Sequence, residues 1–399
     1  MLYRKVLPFQ ILVYLLTKEH FTIPSLAETL MISEATLNRQ LAYLNRLLAE
    51  FGLSISQGKQ VGSELSWRYF YYELLSQSMT KEQIQAFFRG MDHSHLAGLA
   101  EYITGKSLRS EQVDQLSLWF SISQIRFLFK REKQLPDDVT KAFIKDNFFF
   151  QKLKKALRHY FGRYALEFDD FEAESLFVFL ITYPVLPVST MSHVFGFGGP
   201  IAEHISESLW LLKQAEMIAS QTKEDIIYGL GMLFARSYFF QGLVVTGKKE
   251  VASLYALLAD DKKEQMQVLI NRLLLVTNKP SAVSGDFLAY LSYHFLELLI
   301  FSLEKHHPPL AIGLDLVSQR AENAILELRI KRFLKHNQNF IFIPYEDNQV
   351  VDGVITNKRK LDAYSLPTYQ LKEEVGAFDL RQLEQFLKTL WQEKISQDG

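Results

Sequence analysis

PSLAETLMISEATLNRQLAYLNRLL, residues 24–48, decides how the rest of the chain is read. The stretch predicts two short helices joined by a tight turn. Pro24 suits the first turn of a helix, where a missing N–H costs nothing. Leu26, Ala27 and Leu30 give that helix an apolar face, and Ala27 is small enough for a second helix to cross closely. Met31 and Ile32 form an apolar turn. Ser33 is a good N-cap for the next helix, and Glu34 puts a carboxylate in its first turn, where the helix dipole favours one. Leu37, Leu41, Leu44 and Leu48 recur at helical spacing and predict one buried stripe. Off that stripe lie Thr36, Asn38, Arg39, Gln40, Tyr43, Asn45 and Arg46. Polar groups on the outer face of a second helix after a short turn are what a helix-turn-helix presents to the major groove. The same spacing also fits an ordinary helical hairpin. In the DNA-reading version Asn38 and Arg39 are the base-contact candidates, because asparagine matches adenine and arginine matches guanine in two-pronged hydrogen bonding. Ser33, Thr36 and Tyr43 complete that face.

Composition bounds the alternatives. The chain has 399 residues, is 48% hydrophobic, and carries 31 Phe and 18 Tyr, so several aromatic-rich cores are expected. The net charge of -1 advertises no nucleic-acid role for the whole chain, and a local site must carry one. Absence of cysteine excludes disulfides, thiolate metal sites and cysteine nucleophiles, and fits a cytoplasmic protein. The start, MLYRKVLPFQILVYLL, mimics a signal peptide but leads into Thr17-Lys18-Glu19-His20 without a small-residue cleavage site. It reads instead as a first helix over 9–17. Phe287–Leu303 is the most apolar long run, yet His294 and Glu297 lie inside it, which favours a buried core helix over a membrane span.

Outward from residue 48, Leu53 and Ile55 alternate with serines, Gln57-Gly58 is turn chemistry, and Val61 precedes Gly62. This predicts a two-stranded wing with Lys59 near its tip, placed to meet a phosphate. Residues 1–63 are therefore read as a winged helix-turn-helix. Residues 1–50 hold five lysines and arginines against four carboxylates, so one copy would hold DNA weakly and a dimer or an additional DNA-binding domain is expected. A helix dense in aromatics follows, and the pattern to Pro309 is almost wholly helical. The turn-rich stretches 182–200 and 303–313 divide it into helical domains at 64–198 and 199–312. Between Lys130 and Arg163 ten cations face four carboxylates, either a solvated helix face or a docking surface for an acidic or phosphorylated partner. A helix over about 314–335 is expected next. Then NFIFIPY, VVDGVIT and the weaker YSLPTYQL read as strands, and FDLRQLEQFLKTLW as a closing helix, giving a small α/β domain at 313–399.

No catalytic constellation is visible. GFGGP at 196–200 lacks the Lys-Ser/Thr of a phosphate loop and reads as a linker, and His93 and His95 have no third ligand. The chain is thus read as a non-enzyme without metal or cofactor.

The run LAETLMISEATLNRQLAYLNRLL, followed by GSELSWRYFYYELL, resembles the Mga/AtxA-like virulence regulators of Gram-positive bacteria. So does the order of two helical blocks and a small α/β tail. The resemblance implies a mainly α fold, with two regulatory domains of the sugar phosphotransferase system and a tail like a transporter enzyme IIB domain. It implies a homodimeric transcription regulator of double-stranded DNA whose helical domains take phosphate on histidine from a phosphocarrier protein. The candidates are His159, beside Arg158 in the basic segment, and His306 and His307. Members usually carry a further helix-turn-helix domain ahead of this one, which this chain is expected to lack. Enzyme IIB domains of the relevant type carry phosphate on cysteine, so without one the tail is expected to be a scaffold. The competing reading is a phosphocarrier-docking signalling module that does not touch DNA.

Overall fold

The computed structural model describes residues 6–91, 96–129, 135, 137–163, 169–195, 198–215, 217–218, 224–244, 251–258, 260–277, 285–306, 310–316, 320–333, 340–346, 350–358, 364–372 and 375–398. Helix α1 (Leu7–Thr17) buries Phe9, Ile11, Leu12, Leu15 and Leu16. Helix α2 (Ile23–Thr29) has Pro24 in its first turn, and the side chain of Thr22 caps it by accepting from the Ser25 amide. Helix α3 (Glu34–Ala49) buries Leu37, Leu41, Leu44 and Leu48, the stripe that the spacing predicts. Strands β1 (Ser54–Ser56) and β2 (Lys59–Val61) form an antiparallel hairpin in which Ile55 faces Gln60. Both turn residues, Gln57 and Gly58, have positive φ, at 51° and 72°. That is the arrangement of a type I′ turn, whose twist matches that of the paired strands.

Helix α4 (Glu64–Ser78) is the spine of the chain, with 10 of its 15 residues buried. Its side chains reach three neighbours. The Tyr71 hydroxyl donates to the Leu12 carbonyl at 3.1 Å, Trp67 Nε1 to the Val61 carbonyl at 3.2 Å, and the Tyr69 hydroxyl to the Gly242 carbonyl at 3.0 Å. Helices α5 (Lys81–Phe87), α6 (Leu96–Thr104), α7 (Ser110–Arg126), α8 (Asp138–Asp146) and α9 (Phe148–Arg163) follow. Next come α10 (Asp170–Thr182), α11 (Val188–Phe195), α12 (Pro200–Gln214) and α13 (Glu224–Phe239). Then come α14 (Val251–Tyr255), α15 (Asp260–Val276) and α16 (Gly285–His306). α10 is apolar on every side from Leu176 to Ile181 and buried along nearly its whole length, as a central helix must be.

Packing divides the chain into two compact units, residues 1–214 with 222–298, and residues 215–221 with 299–399. The glycine-rich stretch at 196–200, expected as a domain linker, lies inside the first. The helices on either side of it, α11 and α12, both pack on α13. A Cβ on Gly199, whose φ is 90°, would lie 2.4 Å from the Phe143 ring. The Gly285–Leu303 stretch of α16 is long and apolar enough to cross a membrane by length and composition alone. It buries Phe287, Leu291, Phe295, Leu296 and Leu299.

The second unit holds β3 (Leu310–Asp315), α17 (Arg320–Phe333), β4 (Phe340–Pro344), β5 (Gly353–Thr356), β6 (Thr368–Gln370) and α18 (Ala377–Asp398). All strand pairs are parallel, in the order β4-β3-β5-β6. Leu383 and Leu387 of α18, with Ile330 of α17, pack on Leu310, Ile312 and Ile355 of the sheet. One expectation is overturned here. Residues 303–313 were expected as turn, and a helix from about 314, but Leu310–Asp315 is a strand lying between β4 and β5. LAIGLD is a short apolar run whose Leu310 and Ile312 are fully buried, as in a central strand. The strand runs through the expected domain boundary at 312, and the helix starts only at Arg320.

Candidate nucleic-acid interface

The outer face of α3 is built from its N-terminus. Ser33 Oγ accepts from the Thr36 amide at 3.2 Å and shares a hydrogen bond with Thr36 Oγ1 at 2.9 Å. These two residues act first as the cap of the helix. Beyond them Asn38, Arg39, Ala42, Tyr43 and Arg46 are exposed, opposite the buried leucines. Arg39, Tyr43 and Arg46 line up along one edge at steps of four and three. The Arg46 guanidinium lies over the Tyr43 ring, 5.9 Å from its centroid. Lys59, the first residue of β2, is exposed beside the hairpin turn and also bridges His20. The structure therefore brings Asn38, Arg39 and Tyr43 onto one surface, with Lys59 on the hairpin.

Asn45 departs from the outward set. Its Nδ2 donates to the Ile55 carbonyl at 2.9 Å, and the Ile55 amide donates to its Oδ1 at 2.6 Å. The side chain mimics a peptide group and fastens the hairpin to α3. Gln60 anchors the other side. Its Nε2 donates to the carbonyls of Leu15 at 2.6 Å and Lys18 at 3.0 Å. Its Oε1 accepts from Arg126 Nη1 at 3.2 Å.

Behind the hairpin lies a buried charge network. Arg126 of α7 grips Glu64 of α4 with two contacts of 2.8 Å. Arg68 Nε donates to the same carboxylate at 3.1 Å, and its two terminal nitrogens hold Glu172 of α10 at 2.7 and 2.8 Å. Burial pushes the Glu64 carboxyl up, but the guanidinium groups of Arg126 and Arg68 outweigh it and hold the group below its ordinary value. Arg68 is opposed by burial in the same way, and Glu172 and Glu64 hold it in the charged form. A second network lies one turn further along α4, where Glu73 accepts from Arg236 and Tyr183, both at 2.6 Å. Arg236 also donates to the Tyr290 hydroxyl at 2.9 Å. The sequence reading missed these residues. Their signal was a set of charges at 64, 68 and 73 inside an otherwise aromatic helix.

The histidine candidates are scattered. His159 is exposed on α9, beside Arg158, whose guanidinium lies 3.8 Å from Asp170. His306 closes α16 and its side chain lies outside the described residues, as does His307. Part of the basic segment is committed locally. Lys154 Nζ lies 2.6 Å from Asp170, and Lys152 Nζ donates to the Ile103 carbonyl at 2.9 Å. His294 sits against the Tyr290 ring with Nδ1 2.6 Å from Glu297. His93, His95, Lys130, Arg131 and Lys133 lie outside the described residues. Among the described residues no group of three metal-ligating side chains converges. At the carboxyl ends of β3 and β5, where open parallel sheets hold ligands, Asp315 is paired with Lys358 at 2.8 Å and hydrogen-bonded to Tyr364.

No curated protein matches the chain. Residues 1–75 match the family model of the Mga helix-turn-helix domain, so the likeness takes in α1 to α3, the hairpin and most of the helix that seats them.

Proposed function

We propose that this chain is a DNA-binding transcription regulator of the Mga type, with α3 as recognition helix and the β1–β2 hairpin as wing. The inward leucine stripe carries this reading, because it leaves Asn38, Arg39 and Tyr43 exposed on the helix that follows the turn. The match of residues 1–75 to the Mga helix-turn-helix domain supports it. Asn38 and Arg39 read base edges, Lys59 meets a phosphate, and Ser33 and Thr36 hold the helix start beside the backbone. With five cations against four carboxylates in residues 1–50, one reader neutralises few phosphates, so two copies act together. Histidine phosphorylation by a phosphocarrier, at His159, His306 or His307, tunes the pairing. The helices within residues 64–198 and 199–306 are the regulatory helical part. The parallel-sheet domain, extended back to take in β3, is a scaffold for dimerisation in the control of virulence or carbohydrate genes.

Fluorescence anisotropy on promoter DNA tests the core of this. Arg39→Ala is expected to weaken binding by about 1–3 kcal/mol and to relax preference at one base position. Unchanged affinity and preference would remove α3 from the interface. A stable complex with the phosphocarrier, with no DNA binding by the full chain, would favour the docking-module reading instead.

A further inference from the structure

The C-terminal end of α3 rests on a segment from far along the chain. Gly52, with φ of 67°, closes the helix. Its amide donates to the Ala49 carbonyl at 3.0 Å, and the Leu53 amide donates to the Leu48 carbonyl at 2.9 Å, the pattern of a glycine cap. Gly242, just past the end of α13, lies against that cap. A Cβ on Gly242, whose φ is 79°, would sit 2.8 Å from the Glu50 carbonyl oxygen and 2.9 Å from the Phe51 ring. A Cβ on Gly52 would sit 2.5 Å from Gln241 Nε2. Two glycines thus let these backbones approach.

Gly242 is itself held in place. The Tyr69 hydroxyl donates to its carbonyl at 3.0 Å, and the Phe240 ring stacks on the Tyr69 ring at 4.1 Å. Arg236 of α13 donates to the same hydroxyl at 3.4 Å, to Glu73 of α4 at 2.6 Å and to Tyr290 of α16 at 2.9 Å. α13 packs in turn on α10, α11 and α12. Phe240–Gly242 therefore touch α3 from outside the domain matched at residues 1–75. A close-packed end cannot tilt without displacing what it rests on. We propose that Gly242 is a positioning residue for α3: the elbow Phe240–Gly242 is a stop that sets the tilt of the helix, so that a shift of α13 reaches the DNA-reading face. The inference rests on α3 being the recognition helix, while the hold on the helix end is measured without DNA.

Amide hydrogen exchange of the full chain, read at Gly52 and Leu53, tests it. Tyr69→Phe removes the hydroxyl and keeps the ring. It should speed exchange at both amides by about three- to tenfold, the worth of one hydrogen bond. Gly242→Ala should speed it by about fivefold or more, because the new Cβ meets both strain and crowding. Gly199→Ala is the control, strained and crowded in the same way against Phe143, and should not single out these two amides. On promoter DNA the two elbow variants should weaken binding by about threefold or more, as a smaller binding-competent fraction requires, and Gly199→Ala should not. Exchange at Gly52 and Leu53 no faster in the elbow variants than in Gly199→Ala, or faster exchange with unchanged DNA affinity, would overturn the proposal. A wild-type chain that binds no DNA would end the recognition-helix reading instead, and the exchange rates alone would then decide the stop.

Discussion

Arg126 is fully buried, and its charge is answered by two hydrogen bonds to Glu64 and one to the Gln60 amide oxygen. A pair of this kind adds little net stability, but removing one member strands the other. Arg126→Met is expected to cost about 3–5 kcal/mol in urea unfolding. Glu64→Gln combined with Arg126→Met should cost less than the two single changes summed. Acid acts on the same carboxylate. The folded Glu64 is held below its ordinary value of 4.5, so the unfolded chain takes up the proton first as pH falls. The stability Glu64 contributes is complete above that ordinary value and is lost as pH drops through the lower folded one. Melting temperature should therefore decline below pH 4.5, and Glu64→Gln should flatten that decline.

At the scale of elements, the hairpin depends on its turn. Gly58 has φ of 72°, and a Cβ there would sit 1.9 Å from the Phe21 carbonyl oxygen, whose residue donates its amide to the Gly58 carbonyl at 3.0 Å. Gly58→Ala is expected to destabilise the chain by more than the 1 kcal/mol or so of an unfavourable φ alone, read from thermal unfolding. Helices α2 and α3 were legible in the sequence because leucine spacing and a serine cap act within a few residues. The hairpin was legible because Gln57-Gly58 interrupts an alternating pattern. Asn45 and Gln60 were not, because their partners, Ile55 and the end of α1, are set by tertiary packing. Strand β3 was hidden by Pro308-Pro309, whose turn chemistry in the sequence was read as running on to residue 313. On the α3 face, exposure of Asn38, Arg39 and Tyr43 follows from the leucine period, whereas the seating of the hairpin on Arg126 and Glu64 through Gln60 joins residues dozens of positions apart.

For the molecule as a whole, charge sets the terms of any DNA contact. The full chain carries a net charge of -1, so attraction to phosphate rests on a few exposed side chains near α3 and the hairpin. In a plot of log affinity against log salt, Lys59→Ala is expected to lower the slope by about one for each copy bound, and to do so equally on all sequences. A sequence-dependent loss would place Lys59 on a base edge. Helix α4 belongs to the domain matched at residues 1–75 and is also sealed into the helical body by Glu64, Arg68 and Glu73. The chain is thus tied together across residue 63 by the side chains of α4. In the paired regulator proposed above, a signal arriving in the helices would have no loose head to swing and would act as a change of gauge, setting the reach between the tips of a pair of callipers and thereby which half-site spacing they fit.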